Sequence, residues 1–84
     1  MKPIRLTKHA LEQCDERGAT EEEVIEAIRK GTHVPAKKGR IKCKINFPFH
    51  SEWMGKEYAI KQVAPIIIEN DDEIVVITVY TFYS

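Results

Sequence analysis

Residues 6–31, with the sequence LTKHALEQCDERGATEEEVIEAIRKG, carry start and stop signals for two consecutive helices. Thr7 can cap free backbone N–H groups and Gly18 can end a last turn, so the first helix should lie between them. The second helix opens with the capping box formed by Thr20 and Glu23 and closes with a basic turn. The stretch therefore predicts a helical pair near the start of the chain.

His9, Gln13 and Arg17 follow one another at intervals of four residues, so they form one ridge of the first predicted helix. Imidazole titrates near neutral pH, and guanidinium binds phosphate through two parallel hydrogen bonds. Both groups also serve as ordinary polar residues at the edge of a packed helix. Residue chemistry alone favours that structural interpretation and leaves the catalytic one open.

The two ends of the chain resemble the DUF4258 family of small bacterial and phage proteins. The resemblance spans nearly the whole chain, which we expect to form one domain over residues 1–84. Its specific part is the spacing from His9-Ala10-Leu11 to Arg17-Gly18 together with the closing Ile77-Thr78-Val79-Tyr80, and Lys61-Gln62-Val63 is among the other matching segments.

The family resemblance implies membership in the RelE-like group of metal-independent ribonucleases and toxins, also called the barnase/EndoU/colicin/RelE fold. The implied fold class is α+β, with two N-terminal helices packed on a small antiparallel sheet of three to four strands. The chain departs from the family pattern at Cys14, where an arginine is common. This change removes a possible cation from the site.

Composition limits the alternatives. The chain has 84 residues, of which 43% are hydrophobic, and its formal net charge is zero. This size permits one modest core and leaves no room for a separate cofactor domain. The sequence has no membrane span and no signal peptide, so we expect a cytoplasmic protein. The three histidines and two cysteines lack metal-ligand spacing, and we expect free thiols, no metal and no cofactor.

Three strands are predicted after the helices. They span Arg40–Phe47, about Glu57 to Ile68, and Ile74–Tyr83, with connections at 32–39 and 48–56. Pro65 indicates an edge position, a bulge or a bend. Strict alternation in the last strand, which we expect to be the central one, places Thr78 and Tyr80 on the same face as Val76.

Basic residues cluster between the helices and the first predicted strand and along that strand. A basic strip on a neutral protein indicates an anionic partner such as RNA, but lysines also protect strand edges from pairing with other chains. A tryptophan in a loop of a small domain more often covers the core than provides a platform for base stacking, so we expect a core position for Trp53. The candidate RNA-binding residues are Lys37, Lys38, Arg40, Lys42 and Lys44.

The predicted function is metal-independent cleavage of RNA, by attack of a ribose 2′-hydroxyl on the adjacent phosphate. His9 is the candidate acid or base, with cations and hydroxyls for the phosphate. The alternative is a non-catalytic RNA-binding or protein-interaction module with the same fold. A cognate antitoxin and a homodimer are possible partners. The candidate catalytic residues are His9, Arg17, Lys61, Thr78 and Tyr80.

Overall fold

A computed structural model describes residues 2–84 as a five-stranded sheet with two helices packed on one of its faces. The strand order is β1-β5-β4-β3-β2, in which only the β1–β5 pair is parallel. The elements are β1 (Ile4–Leu6), α1 (Lys8–Arg17), α2 (Glu21–Lys30), β2 (Thr32–Pro35), a 3₁₀ turn (Lys37–Gly39), β3 (Ile41–Trp53), β4 (Lys56–Glu69) and β5 (Ile74–Tyr83). The predicted α+β class is confirmed.

Both helices begin and end where their capping residues predict. The Thr7 hydroxyl accepts the N–H of Ala10, and Gly18 ends α1 in the left-handed conformation with φ of 76°. Thr20 and Glu23 form the reciprocal capping box at the start of α2. These signals are local, because each joins residues within one turn, and they needed no tertiary information.

The prediction of three to four antiparallel strands was wrong in number and in direction. β1 is a short strand that runs parallel to β5, with Ile4 opposite Ile74 and Leu6 opposite Val76. β2 lies in the segment expected to be a loop, and it pairs with the start of β3. Both strands are only three or four residues long, too short to show a periodic pattern.

The segment 48–56, expected to be a connection, is mostly strand. β3 continues through a register shift between Pro48 and Ser51, where His50 adopts a positive φ of 44°, and turns into β4 only after Trp53. The Trp53 ring stacks on Tyr83, with the ring centroids 5.0 Å apart. The core position expected for Trp53 is therefore wrong in part, because its half-buried ring packs on Tyr83 outside the buried core cluster.

Of the edge position, bulge or bend that Pro65 indicates, the edge position is wrong, because Pro65 lies in β4, the middle strand of the sheet. The ladder from β4 to β3 skips this position, between the Lys42–Ile66 and Ile45–Val63 pairs, because proline has no N–H to donate. The expectation that the last strand is central was also wrong, since β5 is second in the sheet.

A bulge in β5 overturns the predicted faces of that strand. Ile66 pairs with Thr78 but the next residue, Ile67, pairs with Val76, so Ile77 is the extra residue. One extra residue reverses the alternation of all later side chains. Tyr80 consequently lies on the opposite face from Val76, which is fully buried beneath the helices.

The core lies between the helices and the inner face of the sheet. Burial raises the pKa of the Cys14 thiol, and it raises that of Cys43 to about 11. Both cysteines are free and buried. Within residues 2–84, neither ten-residue helix has the length and apolarity needed to cross a membrane. The buried hydrophobic residues are Ala10, Cys14, Ala19, Val24, Ala27, Ile28, Cys43, Val63, Ala64, Ile67, Val76 and Val79.

Candidate functional site

The sheet face opposite the helices is uncovered by any other element of residues 2–84, and we call it the open face. The bulge at Ile77 places Tyr80 and Phe82 on this face, where they remain 41% and 49% exposed. Their rings are stacked, with centroids 6.4 Å apart and planes inclined by 24°. Two exposed, nearly parallel aromatic rings on a rigid strand offer aromatic surface on which a further ring can stack.

Each aromatic ring of this pair has a cation over it. The Arg17 guanidinium carbon lies 5.0 Å from the centroid of Tyr80, and the Lys42 Nζ lies 5.4 Å from that of Phe82. Lys44 points to the same face, because it alternates with the buried Cys43. The strand segments 42–46, 62–68 and 78–82 contain no Asp or Glu. The open face thus combines aromatic surface with positive charge.

Arg17 reaches the open face by passing around the edge of β5. The β1–β5 pairing ends at Val76, and α1 covers the edge of the strand beyond this point. The Gln13 Oε1 accepts the Val79 N–H at 3.0 Å and the Thr78 hydroxyl, while Arg17 Nη1 donates to the Val79 carbonyl at 2.6 Å. Side chains of α1 therefore bond the backbone N–H and carbonyl of Val79 at this strand edge, and the Arg17 guanidinium is held in a fixed position.

Lys61 does not join this group. It is only 7% exposed and lies on the inner face, where its Nζ donates to the Gly18 carbonyl and to Glu23 Oε1, both at 2.9 Å. The ammonium also lies 5.5 Å from the centroid of Phe49. Lys61 therefore joins the end of α1 to the start of α2, and this contact gives it a structural role.

His9 is exposed in the first turn of α1, on the ridge that continues through Gln13 to Arg17. Eight residues separate it from Arg17, which corresponds to a rise of about 12 Å along the helix axis. Its ring makes no hydrogen bond within residues 2–84. The structure thus gathers Arg17, Thr78 and Tyr80 at one edge, leaves His9 further along the same helix, and separates Lys61 from all four.

The predicted RNA-binding residues divide into two groups. Lys42 and Lys44 lie on the open face, whereas the exposed Lys37 and Lys38 form the 3₁₀ turn that precedes β3, and Arg40 follows this turn. No group of three His, Cys, Asp or Glu side chains within residues 2–84 is arranged to hold a metal ion.

Sequence reasoning missed three residues of the open face. Strict alternation places Phe82, like Tyr80, on the same face as Val76, which is wrong because periodicity cannot show the bulge; Asn46 and Gln62 were not selected. These two amides face each other across β3 and β4, with Gln62 Nε2 donating to Asn46 Oδ1 at 2.9 Å. The alternation of Lys42, Lys44 and Asn46 was the available signal for this row.

The fold and this surface define a small α+β protein with an uncovered basic and aromatic sheet face. No family model, no curated protein and no solved structure matches the chain.

Proposed function

We propose that this protein binds single-stranded RNA on the open face of its sheet. The observation that carries the proposal is the exposed pair of rings, Tyr80 and Phe82, each with a cation over one face. Unpaired bases stack on exposed aromatic side chains, and neighbouring lysines and arginines neutralise the phosphates. A duplex hides its base faces and would gain only the electrostatic part of this interaction.

The test is fluorescence anisotropy with labelled single-stranded RNA, comparing the wild type with the Tyr80→Ala/Phe82→Ala variant. Because stacking is worth about 1–3 kcal/mol per base, the double variant should lose roughly 30-fold or more in affinity. Met54→Ala is the matched control, since Met54 is an exposed apolar side chain, 83% accessible, at the distant hairpin tip. An unchanged affinity in the double variant would refute the proposed surface.

Salt dependence provides an independent measure of the phosphate contacts. Arg17, Lys42 and Lys44, each meeting one phosphate, should together contribute about −2 to the slope of log Kobs against log salt for a single strand. A slope near zero would show that the bound strand does not use these cations.

RNA cleavage is the second candidate, and the clustering of Arg17, Thr78 and Tyr80 beside the helix that carries His9 favours it. In this reaction the ribose 2′-oxygen bonds to phosphorus and the bond to the 5′-oxygen breaks. The products are a 2′,3′-cyclic phosphate and a free 5′-hydroxyl. His9 would move the protons, while Arg17 would stabilise charge on the phosphate.

Product analysis after incubation with single-stranded RNA tests the cleavage proposal. Cyclic phosphate ends that disappear in His9→Ala but persist in Lys8→Ala, a neighbouring exposed control, would support it. Intact RNA bound by the folded wild-type protein would leave binding as the function and refute cleavage of that RNA.

Membership in the DUF4258 family and its RelE-like fold is part of this proposal. It is supported by the spacing of His9 and Arg17-Gly18 on α1 and by the helical pair that precedes the antiparallel β3–β4–β5 strands.

A further inference from the structure

A cavity of about 260 Å³ lies at one margin of the open face. The end of α2 forms one wall, and the strand residues of β2, β3 and β4 form the other. The Gly31 backbone lies close against β3, so that a Cβ at this position would lie 2.4 Å from the Lys44 carbonyl oxygen. The lining residues are Lys30, Gly31, Thr32, Lys44, Ile45, Asn46 and Gln62.

The polar groups of this cavity suit a nucleotide. Lys30 and Lys44 supply positive charge, and the side chain of Lys30 is 73% exposed with only a 3.7 Å contact to Glu26. The hydrogen bond between Gln62 and Asn46 uses one amide N–H and one amide oxygen. The Gln62 oxygen and the Asn46 amide N–H groups are left to bond a base edge, which presents both donors and acceptors.

The position of the cavity relates it to the aromatic pair. Gln62 is the register partner of both Asn46 and Phe82, so these three residues form one row across the sheet. Neighbouring strands are about 4.8 Å apart, and the cavity, whose lining includes Gln62, therefore begins about one strand spacing from Phe82. An extended single strand that stacks one base on Phe82 brings its next nucleotide within reach of the cavity.

We infer that this cavity is a base-reading subsite, which holds one nucleotide of the bound strand with its base edge against Asn46 and Gln62 and its phosphate near Lys30 and Lys44. The inference rests on the proposed function, because the strand must first lie on the open face. It adds sequence preference to a surface whose stacking and charge contacts are sequence-tolerant.

The test compares affinities for single-stranded oligoadenylate, oligouridylate and oligocytidylate of about ten nucleotides, a length that one small domain can cover. The wild type should prefer one of them by about fivefold or more, as expected for a paired amide contact to a base edge. The Asn46→Ala/Gln62→Ala variant should bind all three within about twofold of the least favoured one. Gln62→Glu, which keeps the side-chain shape, should also alter the preference.

Lys30→Ala tests the phosphate contact separately. It should weaken binding to all three oligomers and reduce the salt slope by about 0.7, while Lys8→Ala, an exposed lysine on the other helix, should leave both unchanged. An unchanged slope in Lys30→Ala would overturn the assignment of this lysine.

The remaining outcomes separate this inference from the function on which it rests. Binding of all three oligomers with equal affinity, or a preference that survives in the double amide variant, would overturn the subsite and leave RNA binding intact. Free nucleoside monophosphates that bind as tightly as the oligomers would overturn the requirement for a strand. Failure of every oligomer to bind would refute the proposed function and this inference with it.

Discussion

The ion pair between Lys61 and Glu23 offers a direct test of whether this lysine has a structural role. Lys61→Met keeps the length and apolar stem of the side chain while removing its charge. The change leaves Glu23 without its cation and the Gly18 carbonyl without its donor, two contacts of 2.9 Å each. Breaking a buried pair costs about 3–5 kcal/mol, but Glu23 retains 21% exposure and can be partly rehydrated.

We therefore expect Lys61→Met to lower the free energy of unfolding by about 2–4 kcal/mol, or the melting temperature by roughly 8–30 °C in a domain of this size. Urea titration followed by the fluorescence of the single Trp53 measures the change, because its indole stacks on Tyr83 in the fold. Lys8→Met is the matched control on an exposed site and should lie within about 0.5 kcal/mol of the wild type.

A double-mutant cycle with Glu23→Gln separates the ion pair from general packing effects. Glutamine keeps the capping-box hydrogen bond to Thr20 and removes only the charge. The coupling energy between Lys61 and Glu23 should exceed about 1 kcal/mol. Additive effects, or a Lys61→Met variant as stable as the wild type, would refute the structural role and return Lys61 to the list of candidate functional residues.

Two further predictions concern the stability of the fold. Gly18→Ala should destabilise the protein by about 2 kcal/mol or more, because φ is +76° and a Cβ would lie 2.7 Å from both Trp53 and Tyr83. Gly55→Ala, at φ of +82° in open space, should cost only about 1 kcal/mol. Equal losses of unfolding free energy in the two variants, measured by urea titration, would contradict this explanation. Because folding raises the pKa of Cys43 from 9.0 to about 11, the stability that its neutral thiol contributes is complete below pH 9 and lost as the pH rises toward 11. Urea titrations across this range should show the decline in the wild type and a smaller one in Cys43→Ala, and identical pH profiles would contradict it.

The sequence was sufficient to place the helices because their signals are contained within single turns. Thr7, Gly18 and the Thr20–Glu23 capping box each act over three or four residues. The position of β5 was also predicted correctly, since ten consecutive apolar or β-branched positions leave few alternatives. Local patterns thus set the positions of these elements without reference to the rest of the fold.

The remaining elements depend on partners distant in the chain. β1 is recognisable as a strand only when Ile74–Val76 lies beside it, and β2 only when the start of β3 does. The long β3–β4 hairpin was underestimated because Pro48 and the left-handed His50 are loop signals when read without their partner strand. Each error comes from long-range pairing that overrides a local preference.

The candidate site shows the same division between local and long-range information. Arg17 was selected for its position on the α1 ridge, which a helical period reveals, and the structure places it beside Tyr80. Lys61 was selected for its charge and for its place in the resembling segment Lys61-Gln62-Val63, and alternation could not show that the helices cover its face. Residue type indicated the chemistry, but the packing of the helices on one face of the sheet decided which charges remain available to a ligand.

The bulge at Ile77 decides which side chains of β5 face outward, and the proposed function depends on these side chains. Without the extra residue, the alternation that buries Ile74 and Val76 would turn Tyr80 and Phe82 toward the helices and expose Val79 instead. With it, Val79 packs in the core while both aromatic rings face outward on a strand whose edge is held by α1. An exposed aromatic pair gives up burial that a small core would otherwise gain. The bulge thus places both rings beside the basic residues of the open face, which is the arrangement that the proposed RNA binding requires.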